Sequence, residues 1–296
     1  MNEIFSYWAY SSAWKITKLL PAGIAYAIFQ RIADGLYRRN PKPVQRLRSN
    51  YQRVHPDMAP ELMEALVKEG MRSYLRYWCD TFRLPSWTRQ QTLDSVRVDN
   101  EEYLRKPLQE GRGVVVSLPH AGNWDHAGAY FCASGAPLVT VAEHLKPEKL
   151  FAKFLAYRHS IGMEVLDANA RSLAILSQRL RNNRLVALVA DRDLSNTGVE
   201  VTFLDGTSRM PPGPALLAIG TGAPLITAFV RYEKRGIHII FGEEIPVPHD
   251  GDQQSKIARM TQECADRFGE HIQQYTSDWH MLQRIWIDEN SSVSKP

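Results

Sequence analysis

The sequence predicts an α/β fold: a mixed, mostly parallel central sheet flanked by helices, behind an N-terminal helical cap. Three observations point to this class. From about residue 95 onward, short β-branched apolar runs alternate with helical stretches, the pattern of parallel strands joined by crossover helices. The clearest run, Val114-Val115-Val116-Ser117-Leu118, is too short for a helix and apolar throughout, which marks a strand covered on both faces. Before residue 92, by contrast, the chain reads as helix.

Residues 1–92 are expected to form a helical cap that associates with a membrane. Tyr7, Trp8, Tyr10 and Trp14 are residue types that favour a bilayer interface. Lys15 and Lys18 then interrupt the apolar sequence. The next uncharged stretch, Leu19 to Gln30, has twelve residues and contains Pro21. A span needs about 20. No basic n-region and no A-x-A-like site marks a signal peptide. Residues 1–40 are therefore read as helices lying on or partly in a membrane surface. A further helix opens at Pro60-Glu61, runs through Ala65, Leu66, Met71 and Leu75 to Phe82, and ends before Pro85.

The α/β region is placed at 93–290. Strands are expected at 113–118, 137–143, 163–167, 185–190, 224–232 and 237–247. Helices are expected near 123–134, 147–160, 171–182, 212–221 and 253–275. Phe229 to Ile240 reads as an antiparallel hairpin, which makes the sheet mixed. There is no internal repeat and no linker of the kind that separates independent domains. The tail 291–296 is expected to be disordered.

Composition narrows the function. The 296 residues carry a net charge of +4. Residues 1–60 hold nine Lys and Arg against three Asp and Glu. That imbalance suggests an anionic partner. No nucleic-acid motif is present, whereas apolar and aromatic residues interleave with the charges, as suits an anionic membrane surface. Cys79, Cys132 and Cys264 are widely spaced and show no C-x-x-C. They argue against a disulfide framework or a zinc site and for a reducing cytoplasm.

His120 is the leading catalytic candidate. It follows the strand 113–118 at the sheet edge where ligands bind in open α/β folds. Asp125 lies five positions on, within reach to hold an imidazole in one tautomer, and a neutral His so held is a general base. No G-x-S-x-G elbow and no Cys beside a base supports a covalent nucleophile. His126 completes no metal set: neighbours on a helix point about 100° apart, and H-E-x-x-H is absent. No metal is expected.

Other candidates follow along the chain. Glu200 sits in Val199-Glu200-Val201 after the loop from Leu194 to Gly198 and is either a second site carboxylate or a solvent-facing strand residue. Arg158 ends a helix whose apolar positions are Leu150, Phe151, Phe154 and Leu155, and could clamp a phosphate or an amide, or pair with Glu164 or Asp191. Arg192 lies between Asp191 and Asp193 and could serve either a ligand or an ion pair. Arg209 precedes Pro211-Pro212-Gly213, where a helix N-terminus could hold an anion. Lys146, Lys149 and Lys153 fit a solvated helix face. Trp279, His280, Arg284 and Trp286 read as packing near the C-terminus.

Taken in order, these elements resemble a known family. His120-x4-Asp125, Arg158, Ala190-Asp191-Arg192-Asp193, Gly198-Val199-Glu200-Val201, Pro211 to Ala218 and Thr221-Gly222-Ala223-Pro224 look like the lipid A biosynthesis acyltransferases, from about residue 5 to about residue 287. Within that family they are most similar to the actinobacterial branch that acylates phosphatidylinositol mannosides. The resemblance implies that His120 deprotonates an acceptor hydroxyl, which attacks the thioester of acyl-CoA, with no acyl-enzyme and no cofactor. It implies that Glu200 assists the base. Whether Asp125 or Glu200 orients His120 stays open. His120, Arg158, Arg192 and Arg209 would face the acyl-CoA. The acceptor would be a mannosylated phosphatidylinositol, through a mannose 6-hydroxyl, at the cytoplasmic face of the inner membrane. A lipid A-type enzyme acting on a Kdo2-lipid is the alternative within the family. A non-catalytic protein that binds anionic lipid is the alternative outside it, and it leaves His120 and Asp125 unexplained.

Overall fold

The structure is a computed structural model that describes residues 12, 14–142, 148–169, 171–193 and 197–287. The expected tail, the aromatic residues before Trp14, and Lys146 lie outside them. The chain opens with helical residues 14–19, then α1 (Ala22–Arg39), α2 (Lys42–Val54) and α3 (Pro60–Arg83). Proline sets these starts. Its fixed φ suits the first turn, where its missing N–H would be unpaired in any case, and α2 and α3 both carry one there. Two unpredicted helices and an edge strand follow: α4 (Arg89–Asp94), β1 (Val96–Asp99) and α5 (Glu102–Gln109). A reciprocal capping box between Thr88 and Gln91 starts α4.

Apart from an unpredicted hairpin at 199–210, the remaining elements alternate as expected. They are β2 (Val114–Leu118), α6 (Trp124–Ala133), β3 (Leu138–Ala142), α7 (Glu148–Ser160), β4 (Glu164–Asp167), α8 (Ser172–Arg181) and β5 (Leu185–Val189). Then come β6 (Val199–Phe203), β7 (Gly206–Met210), α9 (Gly213–Thr221), β8 (Leu225–Tyr232), β9 (Ile237–Phe241) and α10 (Gln253–Gln274). Seven strands form one sheet in the order β1-β9-β8-β2-β5-β3-β4. All its pairings are parallel except β8 with β9, the expected hairpin. The strand expected at 237–247 stops at Phe241. Beyond it the chain turns back, and Ile245 bridges to Leu225.

Both faces of β2 are covered. Val115 joins a core that also holds Leu47 and Tyr51 of α2, Val67 and Met71 of α3, and Phe268 of α10. Val114, Val116 and Leu118 face a second core with Phe131, Leu138 and Ile226. Helices α2 and α3 thus share their core with the sheet. Among the described residues, no helix is long and apolar enough to cross a membrane. Cys79 and Cys264 are buried, Cys132 is half-buried, and all three are free.

Candidate active site

The centre of the site follows from strand register. β2 and β5 run parallel, with Val114 opposite Leu185 and Leu118 opposite Val189. His120 lies two residues past Leu118 and Asp191 two residues past Val189. Neighbouring parallel strands therefore deliver an imidazole and a carboxylate side by side at one sheet edge. His120 Nδ1 lies 2.5 Å from Asp191 Oδ1. Asp191 Oδ2 accepts the His120 backbone N–H at 3.0 Å and the Trp279 indole N–H at 2.9 Å.

These bonds decide the chemistry of the pair. Asp191 is fully buried. Burial alone would push its carboxyl up, but the adjacent His120 ring and the hydrogen bonds from His120 and Trp279 together hold it below the ordinary carboxylate range. It is therefore ionised at neutral pH and can only accept. The hydrogen between the two residues therefore belongs to Nδ1, and in the neutral form of the ring the lone pair is then on Nε2. The C-terminal segment closes over this pair. Trp279 bridges to Ala121, and the His280 amide donates to the His120 carbonyl at 2.8 Å. Gly122, at φ +56°, turns the chain between His120 and α6. A Cβ there would lie 2.5 Å from the Val230 carbonyl oxygen, so the turn needs glycine.

His120 lines a cleft of about 530 Å³. Its walls are mostly apolar: Leu138 and Val141 from β3, Phe151 and Phe154 from α7, Leu173 and Leu176 from α8. Asp125, Arg158 and Arg192 line it too.

Asp125 does not serve the imidazole, which corrects the sequence expectation. It sits in the first turn of α6, where a negative charge suits the helix dipole, and it reaches α7 and α3 instead. Its Oδ1 accepts from Arg158 Nε at 2.9 Å and its Oδ2 from the Tyr77 hydroxyl at 3.0 Å. Burial would lower the Arg158 guanidinium, but Asp125 beside it holds it above its ordinary value. Burial, and then the Asp125 charge, raise the Tyr77 phenol, so it stays a neutral donor. Arg158 thus enters the cleft as a fixed cation, paired with neither Glu164 nor Asp191.

Glu200 and Arg209 are not part of this cluster, a second correction. They face each other across the β6–β7 hairpin, and Arg209 Nη2 donates to Glu200 Oε1 at 2.6 Å. Burial alternates along β6: Val201 and Phe203 point into the core, so Glu200 points outward. Neither Glu200 nor Arg209 lines the cleft. Arg192 does, and it donates to Gln283 across the mouth. His126 is buried against Ser95 at 2.8 Å, where burial holds its imidazole at about 3, neutral. Lys153 stacks on Trp14. Among the described residues, no group of three or more His, Cys, Asp or Glu side chains is placed to hold a metal.

Asp191 is the member that sequence reading missed as the partner of His120. A signal was available. Two apolar runs, 114–118 and 185–189, each end two residues before the polar group. Had they been paired as neighbouring parallel strands, the dyad would have followed. The H-x4-D spacing instead drew attention to the nearer carboxylate.

Comparison with known proteins shows the family. The family model for bacterial lipid A biosynthesis acyltransferases matches residues 1–287. A phosphatidylinositol mannoside acyltransferase of Mycolicibacterium smegmatis is 38% identical over 286 residues, covering 95% of this chain and 91% of that protein. One from Mycobacterium tuberculosis is 39% identical over 292 residues, covering 96% and 89%. Among solved structures, the 1-acyl-sn-glycerophosphate acyltransferase PlsC of Thermotoga maritima covers 84% of this chain and 96% of its own at 13% identity, with a TM-score of 0.39. A likeness that loose carries no argument.

Proposed function

The chain belongs to the bacterial lipid A biosynthesis acyltransferase family and is an acyltransferase; from that premise we propose that it moves a long acyl chain from acyl-CoA to the 6-hydroxyl of a mannose on phosphatidylinositol mannosides. The observation that carries this reading is the pairing of His120 with buried Asp191 beside a largely apolar cleft. The relatives that match nearly the whole chain support the choice of acceptor over a Kdo2-lipid.

The proposed reaction uses the tautomer fixed by Asp191. Nε2 of His120 takes the proton of the mannose hydroxyl as its oxygen attacks the thioester carbonyl. The carbon–sulfur bond breaks, and the CoA thiolate takes the proton back from the imidazolium. Asp191 stabilises that imidazolium while it lasts. The acyl chain lies along Leu138, Phe154 and Leu176. Arg158, with Nε engaged by Asp125, offers its remaining N–H groups to the donor. Arg192 stands at the mouth. No cofactor takes part.

The acceptor is a lipid, so the mouth must meet a bilayer. Ile24, Ile28 and Ile32 are four residues apart on α1, and they are 52%, 38% and 46% exposed. Leu19 is 86% exposed. Beside a basic N-terminal region, this stripe suits a helix lying in the interface of the cytoplasmic leaflet, where acyl-CoA is available. The test is CoA release from palmitoyl-CoA on adding mannosylated phosphatidylinositol. Wild type should release CoA in step with acylated product. His120→Ala should fold normally and lose roughly 10²–10⁴-fold in rate. Full activity in that variant would refute the assignment.

A further inference from the structure

We propose that a basic cleft between α2 and the C-terminal segment binds the phosphodiester of the acceptor's inositol headgroup; this rests on the glycolipid acceptor proposed above. The cleft, of about 420 Å³, is lined by Lys42, Gln45, Arg46, Ser49, Asn50 and Arg284. Among the described residues it contains three cations and no carboxylate.

Three features single it out from ordinary surface charge. Lys42 and Arg46 are four residues apart on α2, so they project from one face, where like charges repel unless an anion lies between them. Their neighbours on the same helix are matched within the protein. Arg48 makes a two-pronged pair with Glu64, and Arg53 donates to the Asp205 carbonyl. Lys42, Arg46 and Arg284 have no carboxylate partner among the described residues. The first turn of α2 holds no acidic residue, and its positive dipole end adds to the field.

The second element is held in place rather than loosely apposed. Buried Asn50 donates to the carbonyls of Met281 and Gln283, at 2.7 and 3.0 Å, and accepts from the Trp286 indole at 2.8 Å. That clamp fixes Arg284 opposite Lys42 and Arg46. Met281, Leu282 and Gln283 line the acyl cleft, so one short segment separates the two. His280 donates to the His120 carbonyl. Arg284 is four residues on, at most about 14 Å along an extended chain. An inositol with one mannose covers a reach of that order. A phosphate held by two guanidinium forks and an ammonium would thus leave the mannose within reach of His120.

The test uses the purified full chain and the variant Lys42→Gln/Arg46→Gln/Arg284→Gln, which removes charge and keeps much of each stem. Its KM for mannosylated phosphatidylinositol in detergent should rise about tenfold or more. Its kcat and its KM for palmitoyl-CoA should stay within about twofold of wild type. Arg284→Lys should keep most of the acceptor affinity. Glycerophosphoinositol, which has the headgroup without chains, should inhibit wild type and lose that effect on the variant. Inorganic phosphate at equal concentration should inhibit less; equal inhibition would make the cleft a free-phosphate site and overturn the headgroup assignment. An unchanged acceptor KM would overturn the proposal, as would a rise confined to palmitoyl-CoA, which would place the donor's phosphates in the cleft.

Co-sedimentation with vesicles keeps this test separate from the proposed reaction. Wild type should prefer phosphatidylinositol over phosphatidylserine vesicles of equal charge, and the variant should lose the preference. Equal loss on both would reduce the cleft to general surface attraction and refute the proposal. If wild type transferred no acyl group but kept that preference, the reaction would be wrong and the headgroup site would stand. Should the triple variant melt early, Arg284→Gln alone, at an exposed position, carries the same comparison.

Discussion

At the scale of residues, the site separates into two hydrogen-bonded pairs with different proposed duties. His120 is served by Asp191, and Arg158 by Asp125. The two should differ in their kinetics. Arg158→Ala should raise the KM for acyl-CoA more than that for the glycolipid, and Asp125→Asn should follow it in direction because it releases the guanidinium. A rise confined to the acceptor KM would move Arg158 to the acceptor side. Two buried histidines give the fold an acid sensitivity. Burial holds His126 at about 3, and burial, with the neighbouring His120 ring as a second cause, holds His280 at about 3. Both folded values lie below the unfolded value near 6.5. Their contribution to stability is therefore complete above about pH 6.5 and is lost as pH falls from there towards 3. At pH 5 each should cost roughly 2 kcal/mol relative to pH 7. Thermal melts should show Tm falling over that interval, with a smaller fall in His126→Gln. A flat Tm profile would show that these rings are not buried neutral.

At the scale of elements, the long apolar strands and their helices were legible in the sequence because burial on both faces writes a continuous pattern. β2, β5 and β8 lie close to their expected places. The short strands β1, β6 and β7 were not legible. In β1, Val-Arg-Val-Asp is only four residues at a sheet edge, and β7 carries Thr207, Ser208 and Arg209, so neither forms an apolar run. That gap misled the site reading. Without the β6–β7 hairpin, the solvent-facing strand reading of Glu200 stayed only an alternative, and nothing showed that Glu200 would face Arg209. The turn from β2 to α6 was legible as a turn, but its tolerance was not. Gly122 presses on the Val230 backbone at a positive φ. Gly122→Ala should therefore lower Tm and activity together, with a cost of at least about 1 kcal/mol. A variant as stable as wild type would mean that β8 can yield.

At the scale of the whole molecule, one face of the sheet, two N-terminal helices and the C-terminal segment share a core, so the base, the apolar cleft and the basic cleft are held by a single packed body. The proposed membrane face is a part that packing leaves bare. Ile24→Ser/Ile28→Ser/Ile32→Ser should weaken vesicle binding with little change in Tm, since these side chains are exposed. Arg38→Glu/Arg39→Glu should weaken binding to anionic vesicles alone, with a defect that fades at high salt as the Debye length falls to about 3 Å at 1 M. Unchanged sedimentation in both would turn this face away from the bilayer. The account turns most on which carboxylate serves the base. The direct measurement is the turnover number, with palmitoyl-CoA and mannosylated phosphatidylinositol, of Asp191→Asn beside Asp125→Asn and Glu200→Gln. The account predicts that Asp191→Asn folds and loses roughly 10²-fold or more in kcat. It predicts an acyl-CoA binding defect in Asp125→Asn and near-normal turnover in Glu200→Gln. A collapse of kcat in Glu200→Gln, with Asp191→Asn still active, would contradict it.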